Sequence, residues 1–179
     1  MSSLQDSLLA RIVDVPDFPT PGIVFKDVSP LLADRVAFAA AIDAMAGRHL
    51  EQRIDKVVGI EARGFVLAAP VAYRLGAGFV PVRKPGKLPG VTHETAYELE
   101  YGSNVLQLHA AALAPGERVL VVDDVLATGG TASAAARLVA ASGAELVGFS
   151  LLLELAFLAG RDALAQAHPG VPVTSLLTV

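Results

Sequence analysis

The chain has 179 residues, 53% of them hydrophobic and 18% charged, with a formal net charge of −4 and no cysteine. The length suits one compact domain and the apolar content a real core, which excludes a disordered chain. The acidic balance argues against wrapping a nucleic-acid backbone, and the lack of cysteine against a disulfide framework or thiolate metal site, while fitting a reducing cytoplasm.

Residues 1–15 carry Asp6, Arg11 and Asp14 and have no unbroken apolar core, unlike a secretory signal. Leu4, Leu8, Leu9 and Ile12 fall at helical spacing, which predicts a short amphipathic helix over 3–13. The run Asp17-Phe18-Pro19-Thr20-Pro21-Gly22 is too rich in proline and glycine for a regular element and reads as a shaped loop. A second helix is expected from Asp34, its N-cap, to about Gln52. Next come strand 56–60, helix 65–75 closed by Gly76, and strand 79–82, with Pro81 suggesting the edge of a sheet or the end of a strand. Residues 84–96 are polar and rich in Gly and Pro, a long loop of the functional or mobile kind. The remaining expectations are strand 103–109, buried strand 118–122, helix 131–141, strand 146–153, helix 161–167 and strand 173–177. The most apolar stretch, 146–159, contains Glu154 and is too short to span a bilayer. Alternating strands and helices imply an α/β fold with a mostly parallel sheet flanked by helices, whose ligands bind at the carboxyl ends of the strands.

The strongest signal is Arg118-Val119-Leu120-Val121-Val122-Asp123-Asp124-Val125-Leu126-Ala127-Thr128-Gly129-Gly130-Thr131. An apolar strand delivers two adjacent carboxylates, and small, glycine-rich residues then lead into a helix. Ala127, Thr128, Gly129, Gly130 and Thr131 let backbone N–H groups close around an anion. The helix start adds unpaired donors and positive dipole, and the threonines add hydroxyls. Asp123 and Asp124 repel a phosphate but suit the hydroxyls of a sugar attached to it, and positive charge developing on that sugar. No lysine follows the glycines, so this is not a Walker loop.

This run resembles the signature by which type I phosphoribosyltransferases bind phosphoribosyl pyrophosphate (PRPP). The resemblance implies a 5-phosphate held by 127–131 and ribose hydroxyls near Asp123 and Asp124. Three further segments resemble the adenine phosphoribosyltransferases within that family. Phe18-Pro19-Thr20-Pro21-Gly22-Ile23-Val24-Phe25-Lys26-Asp27 is similar to their N-terminal base-binding hood, and Gly59-Ile60-Glu61-Ala62-Arg63-Gly64-Phe65 to their pyrophosphate loop. Val82-Arg83-Lys84-Pro85-Gly86-Lys87-Leu88-Pro89-Gly90 with Tyr97-Glu98-Leu99-Glu100-Tyr101-Gly102 is similar to their flexible catalytic loop. The resemblance thus implies a single domain over 1–179, with the hood within 1–33 and the flexible loop at 84–102.

On this resemblance the substrates are adenine and PRPP and the products AMP and pyrophosphate. Phe25 offers the base a stacking face, and the backbone of Val24 reads its edge. Arg63 lies near the base or the pyrophosphate; the alternative is a surface ion pair with Glu61. Arg83, Lys84 and Lys87 stabilise the leaving pyrophosphate. Glu100 bonds the base and moves a proton at N7 as N9 attacks, and Tyr101 closes over the site or simply packs. Mg²⁺ is expected, held mainly by substrate oxygens rather than by a protein cage. His49, His93, His109 and His168 show no metal-ligand spacing and read as structural or solvated. The family implies a homodimer in the cytoplasm, with no nucleic-acid or membrane partner. Two rivals stay open. One is a 6-oxo purine acceptor, disfavoured because 127–139 offers no lysine to its oxygen; the other is a PRPP-binding regulator, disfavoured by the acidic charge.

Overall fold

A computed structural model describes residues 3–98 and 103–179. In chain order the elements are α1 (Leu4–Leu9), β1 (Val13–Pro16), β2 (Val24–Asp27), α2 (Ser29–Ala33), α3 (Arg35–Gly47), β3 (Lys56–Ile60), α4 (Gly64–Leu75) and β4 (Gly78–Val82). The second half holds β5 (Thr92–Glu98), β6 (Ser103–His109), β7 (Arg118–Leu126), α5 (Gly130–Ala141), β8 (Glu145–Glu154), a 3₁₀ turn (Ala156–Leu158), α6 (Gly160–Ala167) and β9 (Val173–Thr178).

Five strands form one parallel sheet in the order β4-β3-β7-β8-β9. Its strands are apolar on both faces, as burial between two layers requires. In β7, Leu120 and Val122 point into a core shared with α1 to α4, while Val119 and Val121 point into a second core with α5 and α6. Tyr97, Leu106 and Leu108 of the antiparallel β5–β6 hairpin complete that second layer.

The expected helices and strands are present, with five corrections. The first helix stops at Leu9, because Val13–Pro16 pairs with Val24–Asp27 as the hood hairpin. Helix α2 leaves no mark in the sequence pattern: five residues are too few for periodicity to register, and Pro30 sits at its tolerated N-terminal position. Helix α3 begins where expected, with Asp34 Oδ1 accepting from the amides of Val36 and Ala37 at 2.9 Å, but ends at Gly47. The polar loop is shorter than 84–96, because Thr92 to Glu98 pair with β6 despite their polarity. Strand β7 runs on to Leu126, which places both acids inside the strand. Pro81 does lie on the sheet's edge strand. Among the described residues no helix is long and apolar enough to cross a membrane.

His49, just after α3, is 2% exposed; its Nδ1 lies 3.2 Å from Gln52 Oε1, and its Nε2 has no partner. Burial lowers its pKa, Arg48 adds to this, and the bond to Gln52 opposes it. The folded chain therefore keeps the imidazole neutral to lower pH than the unfolded chain does. This contribution is intact above about pH 6.5 and is lost as pH falls below it, because the unfolded state takes up the proton first. The wild type should lose melting temperature between about pH 7.5 and pH 5.5, and His49→Leu should lose less of it. Equal losses in scanning calorimetry would dissociate His49 from acid sensitivity.

Candidate active site

The carboxyl ends of β3, β4 and β7 converge at one edge of the sheet, and the residues after them line a cavity of about 430 Å³. Glu61 and Arg63 follow β3, Lys84 follows β4, and Asp123 and Asp124 belong to β7; Tyr97, Asn104 and Thr131 close the cavity. The cavity thus unites Arg63, Lys84, Asp123, Asp124 and Thr131 of the residues singled out in the sequence. Glu100 and Tyr101 lie outside the described residues.

Asp123 and Asp124 are 9% and 7% exposed. Asp123 Oδ1 accepts from the amide of Asp124 at 2.9 Å. Burial, and next the charge of Asp124, push the Asp123 carboxyl well above its ordinary range, against the pull of that amide and of Arg63. Asp124 Oδ2 stands 2.5 Å from Arg63 Nε, an ion pair whose angles are not those of a hydrogen bond, so this buried oxygen has a hydrogen-bonding site to spare. Arg63 therefore pairs with Asp124 and not with Glu61. Asp123 also packs against the start of α4: a Cβ at Gly64 would lie 2.5 Å from its Oδ1.

From β7 the chain turns through Ala127, Thr128 and Gly129 into α5. Gly129 has φ +86°, a left-handed conformation that other residues resist. A Cβ there would also stand 2.8 Å from the carbonyl oxygen of Gly160, which opens α6 and backs the turn. No side chain caps α5, so the first N–H groups of the helix are open to a ligand. They and the turn enclose a cup of about 70 Å³ lined by Ala127, Thr128, Gly129, Gly130 and Thr131. That is room for roughly two waters, or one tetrahedral anion.

The hood's residues divide between two cavities, because successive side chains of a strand face opposite ways. Phe25 and Asp27 face a cavity of about 320 Å³ shared with Val15, Phe18 and Arg63. Phe25 meets the edge of Phe18 at 5.2 Å, and Arg63 lies over the Phe25 ring at 5.1 Å, so the face expected for stacking carries a guanidinium. Val24 and Lys26 face another, of about 500 Å³, bounded by Asp14, Leu155, Phe157 and Leu158.

The cations of the next loop gather on Glu61. Its carboxylate accepts from Arg83 Nε at 3.2 Å and from the amide of Lys84 at 3.0 Å, and it is in direct contact with Lys87 Nζ. Burial raises its pKa, but Lys87, the Lys84 amide and Arg83 outweigh this and bring it to about 2. Sequence reasoning alone misses this anchor, although a signal is there. Ile60 and Val82 are paired neighbours on parallel strands, so the residues after them, Glu61 and Arg83, must emerge side by side. It also misses Tyr97, Gln107 and the close approach at Gly64, which no local pattern marks. Among the described residues no three His, Cys, Asp or Glu side chains are grouped to hold a metal.

Comparison with known proteins gives a consistent picture. Residues 29–164 match the phosphoribosyl transferase domain family. The adenine phosphoribosyltransferase of Anaeromyxobacter dehalogenans strain 2CP-C is 60% identical over 175 residues, 98% of this chain and 99% of that one. The crystal structure of the Rhodothermus marinus adenine phosphoribosyltransferase aligns with a TM-score of 0.92 at 48% identity, over 98% of both chains. The Saccharomyces cerevisiae adenine phosphoribosyltransferase, crystallised with adenine and an imino-altritol bisphosphate, aligns at 0.90 with 40% identity, over 99% of this chain and 100% of that one.

The packing of Asp123 on the start of α4 is open to test. Alanine is the better helix former by about 1 kcal/mol, so Gly64→Ala in open space would stabilise. Against Asp123 it should destabilise instead, by roughly 1–3 kcal/mol in urea unfolding. A neutral or positive effect would mean that the carboxylate is not held there.

Proposed function

The chain belongs to the adenine phosphoribosyltransferase family, and from that premise we propose that it joins adenine to the 5-phosphoribosyl group of PRPP, giving AMP and pyrophosphate. The observation that carries this reading is the uncapped start of α5 shortly after two buried acids, an anion cup whose lining includes Asp123.

In this reading residues 1–179 act as one domain, with the hood in 1–33 and the catalytic loop in 84–102. The amides of 127–131 and the hydroxyls of Thr128 and Thr131 take the 5-phosphate. Asp123 and Asp124 take the ribose hydroxyls, the free hydrogen-bonding site on Asp124 Oδ2 accepting one of them. Adenine is bound at the hood. Among the described residues strand β2 pairs only with β1, which leaves its outer edge for the base, whose own edge the backbone of Val24 reads. The base stacks on Phe25 as Arg63 yields the ring face; Arg63 borders both the hood cavity and the acid cavity, so it sits where base and sugar meet. Glu100 hydrogen-bonds the base and relays the proton at N7, and Tyr101 closes the loop.

The reaction is displacement at the anomeric carbon. As the bond to pyrophosphate loosens, the ribose becomes oxocarbenium-like, and the two acids favour its positive charge. Arg83, Lys84 and Lys87 hold the departing anion. A Mg²⁺ ion carried mainly by the substrate would find the carboxylates of Asp123 and Asp124 at this cavity, and would supply charge neutralisation on the leaving group. Loop closure keeps water from the reactive sugar. A cysteine-free chain fits a reducing cytoplasm, where we place it. A homodimer is supported by exposed apolar side chains on one stripe of α4, Val66 at 44% and Tyr73 at 85%.

Incubation with PRPP, Mg²⁺ and single bases, read by chromatography, should give AMP from adenine and little nucleotide from hypoxanthine, guanine or xanthine. Chelation of Mg²⁺ should abolish turnover. Turnover with a 6-oxo purine but not adenine would overturn the assignment. Asp124→Asn should lower kcat by about a hundredfold while weakening AMP binding less. An unchanged kcat would remove its role.

A further inference from the structure

Two of the three cations assigned to the leaving pyrophosphate are already bound to an anion of the protein's own. Glu61, whose side chain is 7% exposed, holds the Arg83 guanidinium, the Lys84 amide and the Lys87 ammonium at once. The segment is fastened on its other side too. Arg83 and Gln107 exchange backbone hydrogen bonds at 2.9 and 2.7 Å, and Gln107 Oε1 accepts from the amide of Gly86 at 3.1 Å. Gln107 Nε2 then donates to Glu94 on the facing strand at 2.5 Å. Residues 83–87 are thus folded around a buried carboxylate and tied to the β5–β6 hairpin, while Glu61 and Lys84 both face the cavity that would receive the substrate.

We propose that Glu61 is a positioning residue that acts as an anionic latch. It occupies Arg83 and Lys87 in the free protein, and the incoming diphosphate must take them from it. This rests on the reading that those cations serve pyrophosphate. The latch costs affinity in proportion to how often it is closed. A latch closed about nine-tenths of the time weakens apparent binding roughly tenfold. In return, when the bond to ribose has broken, Glu61 reclaims the cations and speeds the release of pyrophosphate. The substitution Glu61→Gln keeps the shape, and an acceptor for the Lys84 amide, but removes the competing charge.

The experiment is calorimetric titration of pyrophosphate with Mg²⁺ into wild type and Glu61→Gln, with steady-state kinetics on both. The variant should bind pyrophosphate about tenfold tighter, with a lower KM for PRPP and a lower kcat as release slows. In a Lys87→Ala background most of that gain should vanish, since the two act as a pair. Equal or weaker binding by Glu61→Gln, at an unchanged melting temperature, would overturn the latch and leave Glu61 as a prop for the loop. Should that variant not fold, Glu61→Asp, which withdraws the charge by one methylene, should bind tighter than wild type by a smaller factor. Equal or weaker binding by Glu61→Asp also overturns the proposal. Failure of wild type and variants alike to bind pyrophosphate would remove the assignment of the cations, and the latch with it.

Discussion

Two adjacent acids inside an otherwise apolar strand are the constraint around which this molecule is arranged. Asp123 and Asp124 sit at 9% and 7% exposure on β7, whose preceding residues Val119 to Val122 are fully buried. Burying carboxylates is costly unless partners replace the lost water. The partners are specific: the backbone amide of Asp124 and the Arg63 guanidinium, with Gly64 leaving the room that Asp123 occupies. The compensation is incomplete, for Asp123 is pushed toward its protonated form and Asp124 Oδ2 has no hydrogen bond. A ligand rich in hydroxyls would complete it. The site is thus a local deficit in hydrogen bonding held in place by a well-packed sheet.

A related constraint explains why Glu61, Arg63, Arg83 and Lys84 gather with the acids at one edge of the sheet. Both faces of the sheet are covered, so a polar side chain on the central strands can escape burial only at the strand ends. Parallel pairing then puts equivalent ends together. Glu61 and Arg83 become neighbours because β3 and β4 run in register, and Asp124 meets Arg63 because β3 also pairs with β7. Close approach of backbone does the rest. Gly129 and Gly160 let the turn before α5 rest on the start of α6, which leaves the helix N–H groups facing outward instead of into side-chain caps.

The same physics decides what is legible in the sequence. Strand 56–60, the helix closed by Gly76 and the Asp34 cap are each set by a local rule, and each is found. The glycine-rich turn is readable because residues 123–131 are contiguous in the chain. The errors lie where tertiary context overrides local pattern. Thr92 to Glu98 look like loop, yet their pairing with β6 makes them strand. The helical pattern runs on to Val13, yet α1 stops at Leu9 and Val13 opens a strand paired with β2. The acids look like the residues just past a strand, yet β8 pairs with β7 as far as Leu126. Contacts between distant segments leave the weakest trace. Gln107 gives no sign in sequence that it fastens Gly86 and Glu94.

Arg63 is paired with Asp124, and Arg83 and Lys87 are paired with Glu61. Burial, and next the charge of Asp124, push the Asp123 carboxyl above its ordinary range. Lys84 also lines the cavity, so the free protein presents a pocket whose charges are largely paired but keep a positive excess, built from groups of opposite sign on neighbouring strands. Such a pocket avoids the repulsion that a bare cluster of cations would impose on the fold. It also makes binding an exchange of partners. An anionic ligand gains the cations only as far as it outcompetes the resident carboxylates, and it returns them on leaving. In an enzyme whose product carries more free negative charge than the same group did in the substrate, that exchange keeps the leaving group from being held too tightly, because affinity for the departing anion is limited by a competitor that never leaves.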